Sequence, residues 1–103
     1  MKRVGVFCGA APGSNPEFVL AASRLGEAIA ERGMTLVYGG GRVGLMGVLA
    51  DSALRAGAEV VGVIPTCLRT EEIAHTGISE LVVVESLADR KQKIFDLSDA
   101  FIS

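Results

Sequence analysis

The residues with the most chemical promise form the run Tyr38-Gly39-Gly40-Gly41-Arg42-Val43-Gly44-Leu45-Met46-Gly47. Its glycines strip Cβ atoms from a turn, so backbone N–H groups can approach a ligand and the next helix can present its positive end to an anion. Phosphate is the natural guest. A tight strand-to-helix turn that needs positive φ would also use glycine. Gly44 and Gly47, however, fall inside a helical pattern, where each costs about 1 kcal/mol relative to alanine. That cost points to a use. Arg90 and Lys91 open a later helical segment. Two cations near a helix N-terminus oppose the macrodipole, and an anion docked beside them would explain their placement. The plainer explanation is a solvated pair offset by Glu85 and Asp89. Glu71 and Glu72 could accept hydrogen bonds from ribose hydroxyls or stabilise positive charge developing on a sugar, or could simply form a solvated turn.

Other phosphate chemistries fit less well. Gly39, Gly41 and Gly44 match G-x-G-x-x-G, but the acidic residue at the offset expected for a dinucleotide ribose contact, Glu59, opens the next strand instead of closing it. NAD is therefore disfavoured. Leu45-Met46 stands where a P-loop carries Lys and Ser or Thr, which excludes that class of ATP hydrolysis. Cys8 and Cys67 show no CxxC spacing and no histidine cluster, so zinc and dithiol redox chemistry have no support. Both thiols are expected to be reduced and partly buried. The only histidine, His75, lies eight positions from Cys67, which does not by itself define a nucleophilic pair.

These residues need elements to hold them. Half of the 103 residues are hydrophobic, aromatics are few and Trp is absent, which suits a Val-, Leu-, Ile- and Ala-rich parallel sheet covered by helices. Short β-branched or apolar runs at 3–8, 34–38, 59–64, 80–85 and 99–103 alternate with helical periodicity at 17–32, 44–56 and 89–98. Gly33 and Gly57 stand where C-terminal caps belong, and Ser86 with Asp89 forms an approximate capping pair. The pattern predicts a single α/β domain over 1–103, a Rossmann-like doubly wound parallel sheet that breaks off after the fifth strand. Ligands of such sheets sit outside the carboxyl ends of the strands. Residues 8–14, 39–44, 65–75 and 85–91 would share that rim.

A net charge of −2 gives no footprint for nucleic acid or an anionic membrane. The chain has no apolar run of about 20 residues and no signal-like start, which predicts a cytoplasmic protein acting on small molecules.

The order of motifs resembles the "Lonely guy" family of cytokinin riboside 5′-monophosphate phosphoribohydrolases, long labelled lysine decarboxylases. The matching segments are Val6-Phe7-Cys8-Gly9, Leu36-Val37-Tyr38-Gly39-Gly40-Gly41, Val43-Gly44-Leu45-Met46-Gly47, Gly62-Val63-Ile64-Pro65, Arg90-Lys91 and Asp99-Ala100-Phe101-Ile102. The resemblance implies a homodimer that hydrolyses the N-glycosidic bond of AMP or an N6-modified AMP, with no metal or organic cofactor. It implies that Arg90 and Lys91 bind substrate, that Arg90 assists catalysis, that Glu72 contacts substrate, and that Cys8, Gly9, Gly39, Gly40, Gly41, Gly44 and Met46 line the pocket. A lysine decarboxylase would need a Schiff-base lysine, and only Lys2, Lys91 and Lys93 are present. The family continues after its fifth strand into Pro-Gly-Gly-x-Gly-Thr-x-x-Glu, whereas this sequence stops at Ser103 before any of it, and Leu87-Ala88 replaces a common Met-His pair. The alternative is a nucleotide-binding module of the same fold that does not hydrolyse its ligand.

Overall fold

The computed structural model describes residues 2–7, 16–68 and 74–102. Cys8, Gly9, Glu71 and Glu72, and the helical turn expected near Glu71, lie outside them. Along the chain run β1 (Arg3–Val6), α1 (Pro16–Glu31), β2 (Thr35–Tyr38), α2 (Gly44–Arg55), β3 (Val60–Pro65), a 3-10 turn at Thr66–Leu68, β4 (Glu80–Val84), α3 (Leu87–Leu97) and β5 (Ala100–Ile102). Each expected strand and helix is present, with bounds shifted by a residue or two. Pro65 closes β3 from inside instead of just beyond it. The start of α3 moves back to Leu87 because Ser86 is its N-cap, its hydroxyl accepting from the Asp89 N–H at 3.1 Å.

All strands run parallel in the order β4-β3-β2-β1-β5. The sheet is doubly wound, and its order reverses at β1, whose neighbours are β2 and β5. Alternation along the strands divides the core into two layers. Val4, Val6, Leu36, Tyr38 and Val60 pack with Ile29 of α1 and Met46, Leu49, Ala50 and Ala53 of α2. On the opposite face Val37, Val61 and Val63 meet Ile94 of α3, flanked by Phe7, Val82, Val84 and Leu97. β3 is buried along its whole length, as its continuous apolar run predicts. At both edges the strands are more exposed: β5 is open at all three residues and Val83 of β4 is 42% exposed.

Gly33 (φ 66°) and Gly57 (φ 97°) end α1 and α2 in left-handed conformations. Glu59 precedes β3 at the amino edge of the sheet, where its carbonyl accepts from the Leu36 N–H at 2.9 Å. It therefore faces away from the glycine turn, as the argument against a dinucleotide requires.

Candidate functional site at the carboxyl rim

Tyr38 pairs with Gly62 as the last rung between β2 and β3, after which β3 continues to Pro65 while the chain leaves the sheet at Gly39. Past that rung the ladder has no further strand residue on the β2 side. Arg90 closes the gap from α3: its Nε donates to the Val63 carbonyl at 3.0 Å and its Nη2 donates to the Gly39 carbonyl. The guanidinium spans the two carbonyls as a substitute rung. A Cβ on Gly39 would lie 2.9 Å from Arg90 Nη2 and 3.0 Å from Met46 Sδ, so a side chain here would displace the guanidinium or the thioether. The turn and Arg90, remote in sequence, share one site.

The three glycines differ in what they do. Each carbonyl is taken by the protein: Gly39 by Arg90, Gly40 by the His75 N–H at 2.9 Å, and Gly41 by the Tyr38 hydroxyl at 2.8 Å. Gly40 has φ 79° and is buried against Gly62, where a Cβ would lie 2.6 Å from the Gly40 Cα. Gly41 is also buried and forms an antiparallel bridge with Ala74. The centre of the turn thus packs against its own protein through its carbonyls and its missing Cβ atoms. Gly47 has a similar internal cause, since a Cβ there would overlap the Arg42 carbonyl. The side open to a ligand comprises half-exposed Gly39, exposed Arg42 and the start of α2 at Gly44 and Leu45. Val43 is the N-cap of α2 and supplies no side-chain hydrogen bond to the helix. Gly44 enters the helix at φ 60°.

Met46 has its side chain in the core beside Gly39, 1% exposed, so a pocket contact from this residue would have to come from its backbone. Lys91 is exposed on α3. Arg90 is half-buried and bonded to carbonyls, which answers the view of it as a solvated surface cation. Cys67 is a free thiol and exposed, not partly buried as expected, because it sits on the 3-10 turn that leaves β3 at the rim. It forms no pair with His75. Both ring nitrogens of that buried histidine are engaged, Nε2 with Asp51 Oδ1 at 2.7 Å and Nδ1 with the Gly77 N–H at 3.1 Å. Asp51 and His75 were not legible as partners in the sequence: they lie 24 residues apart in different elements, and the one signal is a lone histidine in a polar stretch.

Parallel βα units with a glycine turn and an arginine gathered at the carboxyl rim define a Rossmann-like α/β protein, a class whose ligands sit at that rim. The chain belongs to the family described as "Possible lysine decarboxylase", matched over residues 46–103, which is the family its motif order resembles. A cytokinin riboside 5′-monophosphate phosphoribohydrolase from Rhodococcoides fascians is 50% identical over 103 residues, covering 99% of this chain and 52% of that protein. A protein of the same name from Mycobacterium marinum is 46% identical over 100 residues, covering 97% and 53% respectively. A solved structure titled as the X-ray structure of TM1055 superposes with a TM-score of 0.79 at 26% identity, over 98% of this chain and 59% of that one. A molybdenum cofactor binding protein from Rippkaea orientalis gives a TM-score of 0.79 at 24% identity, over 99% and 63%, a likeness of fold alone. The chain spans about half the length of the curated relatives it matches.

Proposed function

We propose that this chain carries the nucleotide-binding half of a phosphoribohydrolase that cleaves the N-glycosidic bond of AMP or an N6-modified AMP. One observation carries the reading: the guanidinium of Arg90 meets the glycine turn at the carboxyl rim, beside the start of α2. Hydrogen bonds to the Val63 and Gly39 carbonyls orient the Arg90 guanidinium at the turn, and a phosphate monoester at this rim would meet that cation together with the positive end of α2. The names of the relatives, which specify a riboside 5′-monophosphate, support the same ligand class.

In the reaction, the bond from C1′ to the base nitrogen breaks, water adds its hydroxyl to C1′, and its proton goes to the departing base. Free base and ribose 5-phosphate result. Cleavage builds oxocarbenium character on the sugar, which a carboxylate stabilises. Glu72 is assigned that contact, while Arg90 orients the phosphate end and assists, with Lys91 as a second cation. Cys8, Gly9, Gly39, Gly44 and the backbone of Met46 line the pocket, and Gly40 and Gly41 shape it from beneath. A decarboxylase of lysine would join a cofactor aldehyde to a lysine amine; Lys2, Lys91 and Lys93 are all exposed, which supports the hydrolase over the family's older label. No helix among the described residues is long and apolar enough to cross a membrane. We place the protein in the cytoplasm and take it to act as a homodimer.

Incubation of the protein with AMP, followed by chromatography for adenine, tests the assignment. Binding of AMP and not NAD, read as a thermal shift, is expected. NAD binding in its place would sink the reading. AMP binding without adenine would show that this chain holds the nucleotide but does not cleave it.

A further inference from the structure

Asp51 and His75 have no part in the proposed chemistry, yet they join the three segments that shape the turn. After β3 the chain returns to the rim through Ala74, which bridges Gly41, and His75, whose N–H donates to the Gly40 carbonyl at 2.9 Å. The imidazole then fixes this returning segment in two directions. Nδ1 accepts from the Gly77 N–H at 3.1 Å and so closes a short turn, which requires the ring proton on Nε2, and Nε2–H donates to Asp51 Oδ1 at 2.7 Å. Asp51 stands on α2, the helix whose first turn follows the glycine run directly. The contacts therefore form a closed circuit: glycine turn to residues 74–77 by backbone bonds, residues 74–77 to α2 by imidazole and carboxylate, and α2 back to the turn through the chain.

The His75 side chain is 9% exposed whereas Asp51 is 55% exposed, so the anchor is a largely buried ring tied to a carboxylate at the surface. Such a ring fills space that alanine would leave empty, and its two hydrogen bonds are directional. Arg90 holds the upstream end of the turn at Gly39, the His75 backbone holds its middle, and the His75 ring ties that segment to α2 through Asp51.

We propose that the Asp51–His75 pair is a positioning element for the nucleotide site: it sets the spacing between the Gly39–Gly41 turn and the N-terminus of α2, and thereby the affinity for a nucleoside 5′-monophosphate. This rests on the nucleotide reading above. The test is titration calorimetry of AMP binding to the wild type and to Asp51→Ala, Asp51→Asn, His75→Ala and Ile29→Val. Losing the link is expected to weaken AMP binding about tenfold in Asp51→Ala and His75→Ala. Asp51→Asn keeps an acceptor for Nε2–H and is expected to stay within about threefold of wild type. Ile29→Val, a core change in α1, lowers stability without touching the circuit and is expected to bind as wild type. A purely structural pair would instead lower melting temperature and leave affinity unchanged in every folded variant, and that result overturns the proposal. If His75→Ala does not fold, the two Asp51 variants carry the comparison, since position 51 lies at the surface. A wild type that binds no AMP overturns this inference and the nucleotide reading together, whereas tight wild-type binding with an unaffected Asp51→Ala overturns this inference alone.

Discussion

Arg90 serves as the last rung of a ladder whose strand has already turned away, and this double duty makes it the most informative residue to change. Lysine retains the charge but cannot reach two carbonyls in a fixed fork. Arg90→Lys is therefore expected to lose about 1–3 kcal/mol of stability, read from denaturant unfolding, and to weaken AMP binding at least about tenfold by calorimetry. Gly39→Ala approaches the same interaction from the other side, placing a methyl group 2.9 Å from Nη2. The double variant is expected to bind AMP no more weakly than the worse single variant, because both changes act on one contact; fully additive losses would mean that Gly39 and Arg90 act separately. The glycine run and the Arg-Lys pair could be read from residue types and spacing. Their meeting could not, because the partners of Arg90 are main-chain carbonyls, which no side chain advertises. The separate purposes of Gly39, Gly40 and Gly44 were hidden for the same reason: a glycine shows that space or positive φ is wanted, without showing whether ligand or protein uses it.

At the scale of elements, the site depends on where α3 begins. Ser86 accepts from the Asp89 N–H, and the Ser86 carbonyl accepts from the Arg90 N–H at 3.0 Å, so the cap fixes the turn that launches the guanidinium toward the sheet. Ser86→Ala is expected to cost about 1 kcal/mol in denaturant unfolding. A Ser86→Asp variant, which restores an acceptor, is expected to recover most of it; equal instability in both would show that the cap contributes nothing. A second element-level test concerns α1 and α2, which cross so closely at Gly26 that a Cβ would overlap the Ser52 hydroxyl and lie 2.7 Å from the Leu49 carbonyl. Gly26→Ala gains about 1 kcal/mol of helix propensity. Because two of the opposing atoms, the Leu49 carbonyl oxygen and the Ala53 nitrogen at 2.8 Å, are backbone, separation of the helices is expected to outweigh that gain, giving a net loss in thermal unfolding. Periodicity and capping residues revealed these elements because each signal is local. What Gly26 makes room for is not written in its own helix, because the atoms it clears belong to α2.

For the whole molecule, the two faces of the sheet are covered unequally. α1 and α2 share one face, whereas α3 is the single described helix on the other. Toward β5 that second face carries an aromatic group, with Phe95 stacked on Phe101 at 5.0 Å and Phe101 on Phe7 at 6.0 Å between ring centroids. Phe95 is 59% and Phe101 42% exposed, and β5 is an edge strand. Adjoining aromatic surface and a strand edge together favour association with another chain. The 103-residue polypeptide is accordingly expected to self-associate, as shown by a mass above that of one chain in light scattering on size-exclusion chromatography. Phe95→Asp should shift it toward monomer at the same concentration, with little change in melting temperature because the ring is largely outside the core. A wild type that stays monomeric at about 100 μM, well above the micromolar range of a modest interface, would remove the basis for a homodimer through this face. Should the wild type associate but Phe95→Asp leave its mass unchanged, the contact lies elsewhere, and the open edge at Val83 of β4 becomes the surface to alter next.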